Sequence, residues 1–112
     1  MYEIIYLPMA RKQLEDIVDY IGIDLAMQDA AFDFIEEVDQ ATKSLDEMPY
    51  RHPIYHTRFA VLEEVRWISV SNYNVFYKVF EEDKTMEIRR VLHQFQDVEN
   101  RLHHSKESYR GG

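Results

Sequence analysis

Seven side chains between positions 66 and 93 have the types that handle phosphate, nucleobases or protons: Arg66, Tyr73, Tyr77, Lys78, Arg89, Arg90 and His93. Guanidinium and ammonium groups grip phosphate oxygens, and phenol and imidazole rings stack on bases or move protons. The same set equally suits cross-strand ion pairing with Glu64 and Glu87. Which reading holds depends on the face of the sheet each residue occupies. Other constellations carry less. His52 and His56 have a metal-ligand spacing, but Pro53 stands between them and no acid or thiol lies close by. With three glycines in the chain, two of them terminal, a glycine-rich phosphate loop cannot be built. Ser69 and Ser71 lack the glycine frame of a nucleophile elbow. No cofactor or metal is expected.

The elements that must position these side chains are legible as a change of period. Val65–Val70, Tyr73–Phe80 and Met86–His93 are β-branched and aromatic, and are separated by a Ser71-Asn72 turn and a Glu82-Asp83-Lys84 turn. They predict an antiparallel meander. Both alternating sets of Tyr73–Phe80 are bulky, so this strand is expected in the centre with both faces covered. In the last strand Met86, Ile88, Arg90 and Leu92 form one set, which reads as core apart from Arg90. Glu87, Arg89, Val91 and His93 read as the set on an open face. A bulge would swap the two arginines.

Upstream, Tyr2–Leu7 reads as a short strand, and Pro8 fits the first turn of a helix, where its missing donor costs nothing. Apolar residues from Ala10 to Leu25 recur at spacings of three and four, with Gly22 near the end of that helix. The pattern repeats from about Gln28 to Met48, which predicts an antiparallel helix hairpin. Pro49 and Pro53 then open a loop over about Tyr50 to Phe59. Asp97 is placed to cap a short terminal helix through Leu102, and a polar tail follows. The expected architecture is α+β: an N-terminal strand, a helix hairpin on a small antiparallel sheet, and a short last helix. A single domain over residues 1–105 with a tail over 106–112 is expected.

Composition narrows the class. At 112 residues with 46% apolar content the chain fits one packed core. The absence of cysteine excludes disulfides, thiolate metal sites and a cysteine nucleophile. No apolar run approaches the roughly 18 to 20 residues of a membrane helix, and the N-terminus begins no signal peptide, so a cytoplasmic location is expected. The net charge of −8 opposes non-specific coating of nucleic acid. It is unevenly placed. Residues 1–48 hold three cations and twelve acids, whereas residues 49–112 hold ten cations and nine acids. The acidity belongs to the hairpin, as a solvated face or as a face for a partner.

Three stretches in order resemble the RelE/ParE toxins of bacterial type II toxin–antitoxin modules, often labelled plasmid stabilisation proteins. They are the opening YEIIYLPMARKQLEDIVDYI, the helix end and loop LDEMPYRHPIY, and NYNVFYKVFEEDKTMEIRRVLHQFQD. The resemblance covers nearly the whole chain and implies a growth-inhibiting toxin neutralised by a cognate antitoxin, with a homodimer or a toxin–antitoxin hetero-oligomer as the alternative assemblies. The ribosome-dependent branch cleaves mRNA, which requires a base for the ribose 2′-OH, cations for the phosphate and a proton donor for the leaving oxygen. By position, Arg66, Lys78, Arg89 and Arg90 would supply charge, and Tyr73, Tyr77 or His93 would handle protons or stacking. The ParE branch, which poisons DNA gyrase through a protein contact without nuclease chemistry, is resembled more closely in VFYKV and RVLHQ. The acidic charge also fits a protein surface better than ribosomal RNA. Whether the chain is an enzyme stays open at this point, and an inactive or purely structural binding domain is the third reading. Phe32, Phe34, Phe95, Tyr50 and Tyr55 are the aromatic candidates for an antitoxin interface.

Overall fold

The computed structural model describes residues 1–94. The expected helix over Asp97–Leu102, the tail 106–112 and the candidate Phe95 lie outside the described residues. The chain opens with strand β1 (Glu3–Tyr6) and helix α1 (Pro8–Asp19), whose first helical position is Pro8. α1 does not run to Leu25. Its last turn widens into a π-helical turn over Tyr20–Asp24, and the chain reverses at Ala26, whose φ of 54° lies in the left-handed region. Gly22 lies in that π-helical turn, where a Cβ would stand 3.4 Å from the Cβ of Ala31, at ordinary van der Waals distance. Helix α2 (Gln28–Leu45) follows, and it buries Ala31, Phe34, Val38, Thr42 and Leu45 along one stripe.

A short helix, α3 (Arg58–Glu63), occupies part of the stretch expected to be loop. The Thr57 hydroxyl accepts from the Ala60 amide at its start, and Glu64, with φ 56°, ends it. Six residues are too few to declare a helical period, although Thr57 is a recognisable cap.

Strands β2 (Arg66–Val70), β3 (Tyr73–Phe80) and β4 (Thr85–His93) form the expected meander, with β3 between its two neighbours. β1 joins at the far edge, parallel to β4, in the order β1-β4-β3-β2. The sheet is therefore mixed, which corrects the all-antiparallel expectation. The reason is the crossover: the hairpin leaves β1 on one face and returns the chain to the other side of the sheet.

Both faces of the sheet are covered. α1 and α2 pack on one face over Val75, Tyr77, Met86, Ile88 and Val91. On the other, Ala60 and Phe59 of α3, with Tyr55, cover Val65, Trp67, Phe76 and Leu92. Fully burying side chains of this size stabilises by roughly 1.5–3 kcal/mol each, which is what holds the two layers on the sheet.

Candidate functional site

The sheet that was expected to gather the seven polar side chains is interrupted by a bulge. Phe76 pairs with Arg90 and Tyr77 pairs with Ile88, so Arg89 is the extra residue on β4. Arg90 therefore stands opposite Phe76 on the α3 face, and Arg89 reaches Glu87 on that face. Its Nη2 donates to Glu87 Oε1 at 3.1 Å. Neither arginine is open to solvent: Arg89 is 7% and Arg90 is 5% exposed, while Glu87 is fully buried. Arg90 Nη1 donates to the Arg89 carbonyl at 2.6 Å. The expectation that Leu92 shares one core face with Ile88 is corrected by the same bulge. Leu92 lies under α3, whereas Val91 packs with the hairpin.

His93 follows Val91 to the hairpin face, not to the face of the arginines. It pairs with Tyr73 across the strands, ring edge to face at 5.4 Å, and Tyr73 in turn packs on Phe34 of α2 at 5.2 Å. Burial pushes the Tyr73 phenol above its ordinary value.

Two further candidates act on backbone. Tyr77 is fully buried and its hydroxyl donates to the Pro49 carbonyl at 2.8 Å. Loss of water around it pushes its pKa to about 12. Arg66 Nη1 donates to the carbonyl of His52 at 2.7 Å and to that of Tyr50 at 3.3 Å, with its guanidinium over the Tyr50 ring. Lys78 lies on the α3 face, 3.6 Å from Glu63 and over the Phe80 ring. The seven residues are thus divided between two faces, and all of them hold neighbouring backbone, carboxylate or ring groups.

The structure brings together a different set that the sequence did not single out. Between α1 and α2, beside Tyr6 of β1, lies a groove of about 580 Å³. Leu14, Val18, Phe34, Ile35 and Val38 line it with Tyr6, and Glu15, Asp19 and Asp39 stand at its rim. Phe34 and Val38 are the buried floor, while Ile35 is 46% exposed. The periodic apolar stripes on both helices were the available signal. They predicted the contact between the helices but not the gap. Of the aromatic candidates, Phe34 is core and Phe32 and Tyr50 are exposed, while Tyr55 packs edge-on against Trp67 and Phe76. His52 and His56 gather no further ligands: among the described residues no group of three or more metal-binding side chains exists.

Residues 4–98 match the family model described as "ParE toxin of type II toxin-antitoxin system, parDE". The chain belongs to the ParE toxin family. Its fold agrees with a solved ParE-family assembly titled "Chromosomal ParDE TA system from P. aeruginosa". The likeness has a TM-score of 0.66 at 15% identity and covers 83% of this chain and 96% of that one. No curated protein matches it. Family membership places the chain among the toxins of type II toxin–antitoxin systems, and its α+β architecture agrees with that solved structure. Among its described residues no helix is long and apolar enough to cross a membrane.

Proposed function

We propose that this ParE-family toxin inhibits growth by a protein contact with DNA gyrase and is neutralised by a cognate antitoxin seated against its helix hairpin. The observation that supports a protein target over RNA cleavage is the disposition of the basic residues. Arg89 and Arg90 are buried, Arg66 is committed to the His52 and Tyr50 carbonyls, and Lys78 faces Glu63. A nuclease needs such groups free to meet a developing phosphorane charge. The antitoxin reading draws on the groove between α1 and α2, whose apolar floor matches the helix-in-groove mode of recognition.

The alternative, ribosome-dependent mRNA cleavage, is favoured by one observation: Tyr73 and His93, a phenol and an imidazole, lie side by side and half-exposed. The deciding experiment pairs two assays on the purified protein. Inhibition of gyrase supercoiling with transcripts left intact on translating ribosomes is the expected result. Transcript cleavage mapped by primer extension, with supercoiling unaffected, would overturn it. Harmless expression without any antitoxin would overturn the growth-inhibiting role.

A further inference from the structure

The groove between α1 and α2 has an asymmetry that says what kind of segment fits it. Its floor is aliphatic and aromatic, and its rim carries Glu15 and Asp19 from α1 and Asp39 from α2. Two cations stand beside these acids, each already paired: Lys43 is 2.8 Å from Asp39 one turn further along α2, and Lys12, 2.7 Å from Asp16, also feels Glu15 and Asp19. Over residues 8–45 the hairpin carries nine carboxylates against three cations. The volume of about 580 Å³ accepts a row of side chains and not a helix backbone, so an occupant lies across it and inserts one apolar stripe.

We infer that this groove takes a cationic amphipathic helix, and that Glu15, Asp19 and Asp39 are the residues that select it. The inference rests on the antitoxin reading above and adds the chemistry of the antitoxin's docking segment: aliphatic residues at helical spacing, flanked by lysine or arginine. Opposite charge at a rim steers encounter and fixes register, and like charge there repels wrong partners. A second copy of this chain docking by its own hairpin is opposed on the same ground. Two hairpins face to face would oppose one surplus of carboxylates with another. An acidic segment meets the same repulsion.

The test uses two synthetic labelled helical peptides of about 20 residues, with one shared leucine stripe and either lysine or glutamate flanks, titrated against the whole protein by fluorescence anisotropy at about 50 and 500 mM salt. The lysine peptide is expected to bind at least about tenfold tighter at low salt, with the ratio shrinking at high salt as the rim charges are screened. Replacing Glu15→Gln, Asp19→Asn and Asp39→Asn together removes the preference and keeps binding of the shared stripe. Val18→Arg, with its helical content checked by circular dichroism, lowers binding of both peptides. Equal binding of the two peptides, tighter binding of the glutamate peptide, or no binding of either would overturn the inference. So would a homodimer in sedimentation that Val18→Arg dissociates. The readout needs no gyrase and no growth. A protein that binds the lysine peptide but leaves growth unaffected therefore overturns the toxic activity alone.

Discussion

Arg66 and Tyr77 face each other across β2 and β3, and both donate to carbonyls of the same segment, residues 49–52. Two side chains that look like catalytic candidates in the sequence instead fasten the chain after the helix hairpin to the sheet. Of these contacts the Tyr77–Pro49 bond is the buried one, and a buried carbonyl deprived of its donor costs more than the bond itself is worth.

Tyr77→Phe removes the phenol oxygen and leaves the Pro49 carbonyl without this donor. The expected loss is about 1–2 kcal/mol in denaturant unfolding, with the slope unchanged. The variant also changes the alkaline limb. The folded phenol ionises at about 12, against 10.0 when unfolded. Its contribution is therefore complete below pH 10 and is lost as pH rises toward 12. Stability measured across that window should fall less steeply in the variant. An unchanged alkaline limb would refute the assignment.

The buried Arg89–Glu87 pair predicts a large asymmetry between single and double substitution. Arg89→Met takes a charge partner from the fully buried Glu87 and should cost about 3–5 kcal/mol. Adding Glu87→Met should recover most of that loss, since two apolar side chains avoid the desolvation of the ion pair. Thermal or urea unfolding of the three proteins reads the cycle. If the double variant is no better than the single, the pair is not what stabilises the bulge.

At the opposite end of β3, Glu81 ties three elements together. It accepts from the Tyr2 hydroxyl at 2.6 Å and the Tyr50 hydroxyl at 3.0 Å, and it pairs with Lys84. The Lys84 ammonium and then the two phenols hold its carboxyl down at about 2, against an ordinary 4.5. A carboxylate lowered in this way contributes fully above pH 4.5, and the contribution disappears as pH falls toward 2. Glu81→Gln should therefore flatten the acid limb of the stability profile in that window. Because the group is exposed, the effect at neutral pH should be small and should shrink further with added salt.

His93 offers the sharpest functional control, because it is half-exposed and its replacement leaves the buried arginines alone. His93→Gln removes the edge-on contact with Tyr73 and should cost about 0.5–1.5 kcal/mol. Growth inhibition and supercoiling inhibition should survive. A folded His93→Gln protein that has lost toxicity, with transcripts no longer cut, would instead support the nuclease branch. Arg89 cannot serve as that control, since its substitution disturbs the core.

The elements and their order follow from local chemistry. The 3.6-residue stripes mark α1 and α2, Pro8 starts the first helix, and the β-branched runs with their turns define β2 to β4. These signals arise within a few residues of one another, so one chain is enough to read them. The acidity of the hairpin is equally local, being a property of which residues were placed there. What the sequence could not decide is what happens between distant segments. The parallel pairing of β1 with β4 depends on where the crossover returns the chain. The bulge at Arg89 shifts every later side chain of β4 to the other face, because strand alternation has a period of two and one inserted residue inverts it. That single shift buried both arginines on the α3 face and moved His93 to the hairpin. The groove rimmed by Glu15, Asp19 and Asp39 likewise exists only because two helices, each legible alone, are brought side by side on the sheet without filling the space between them.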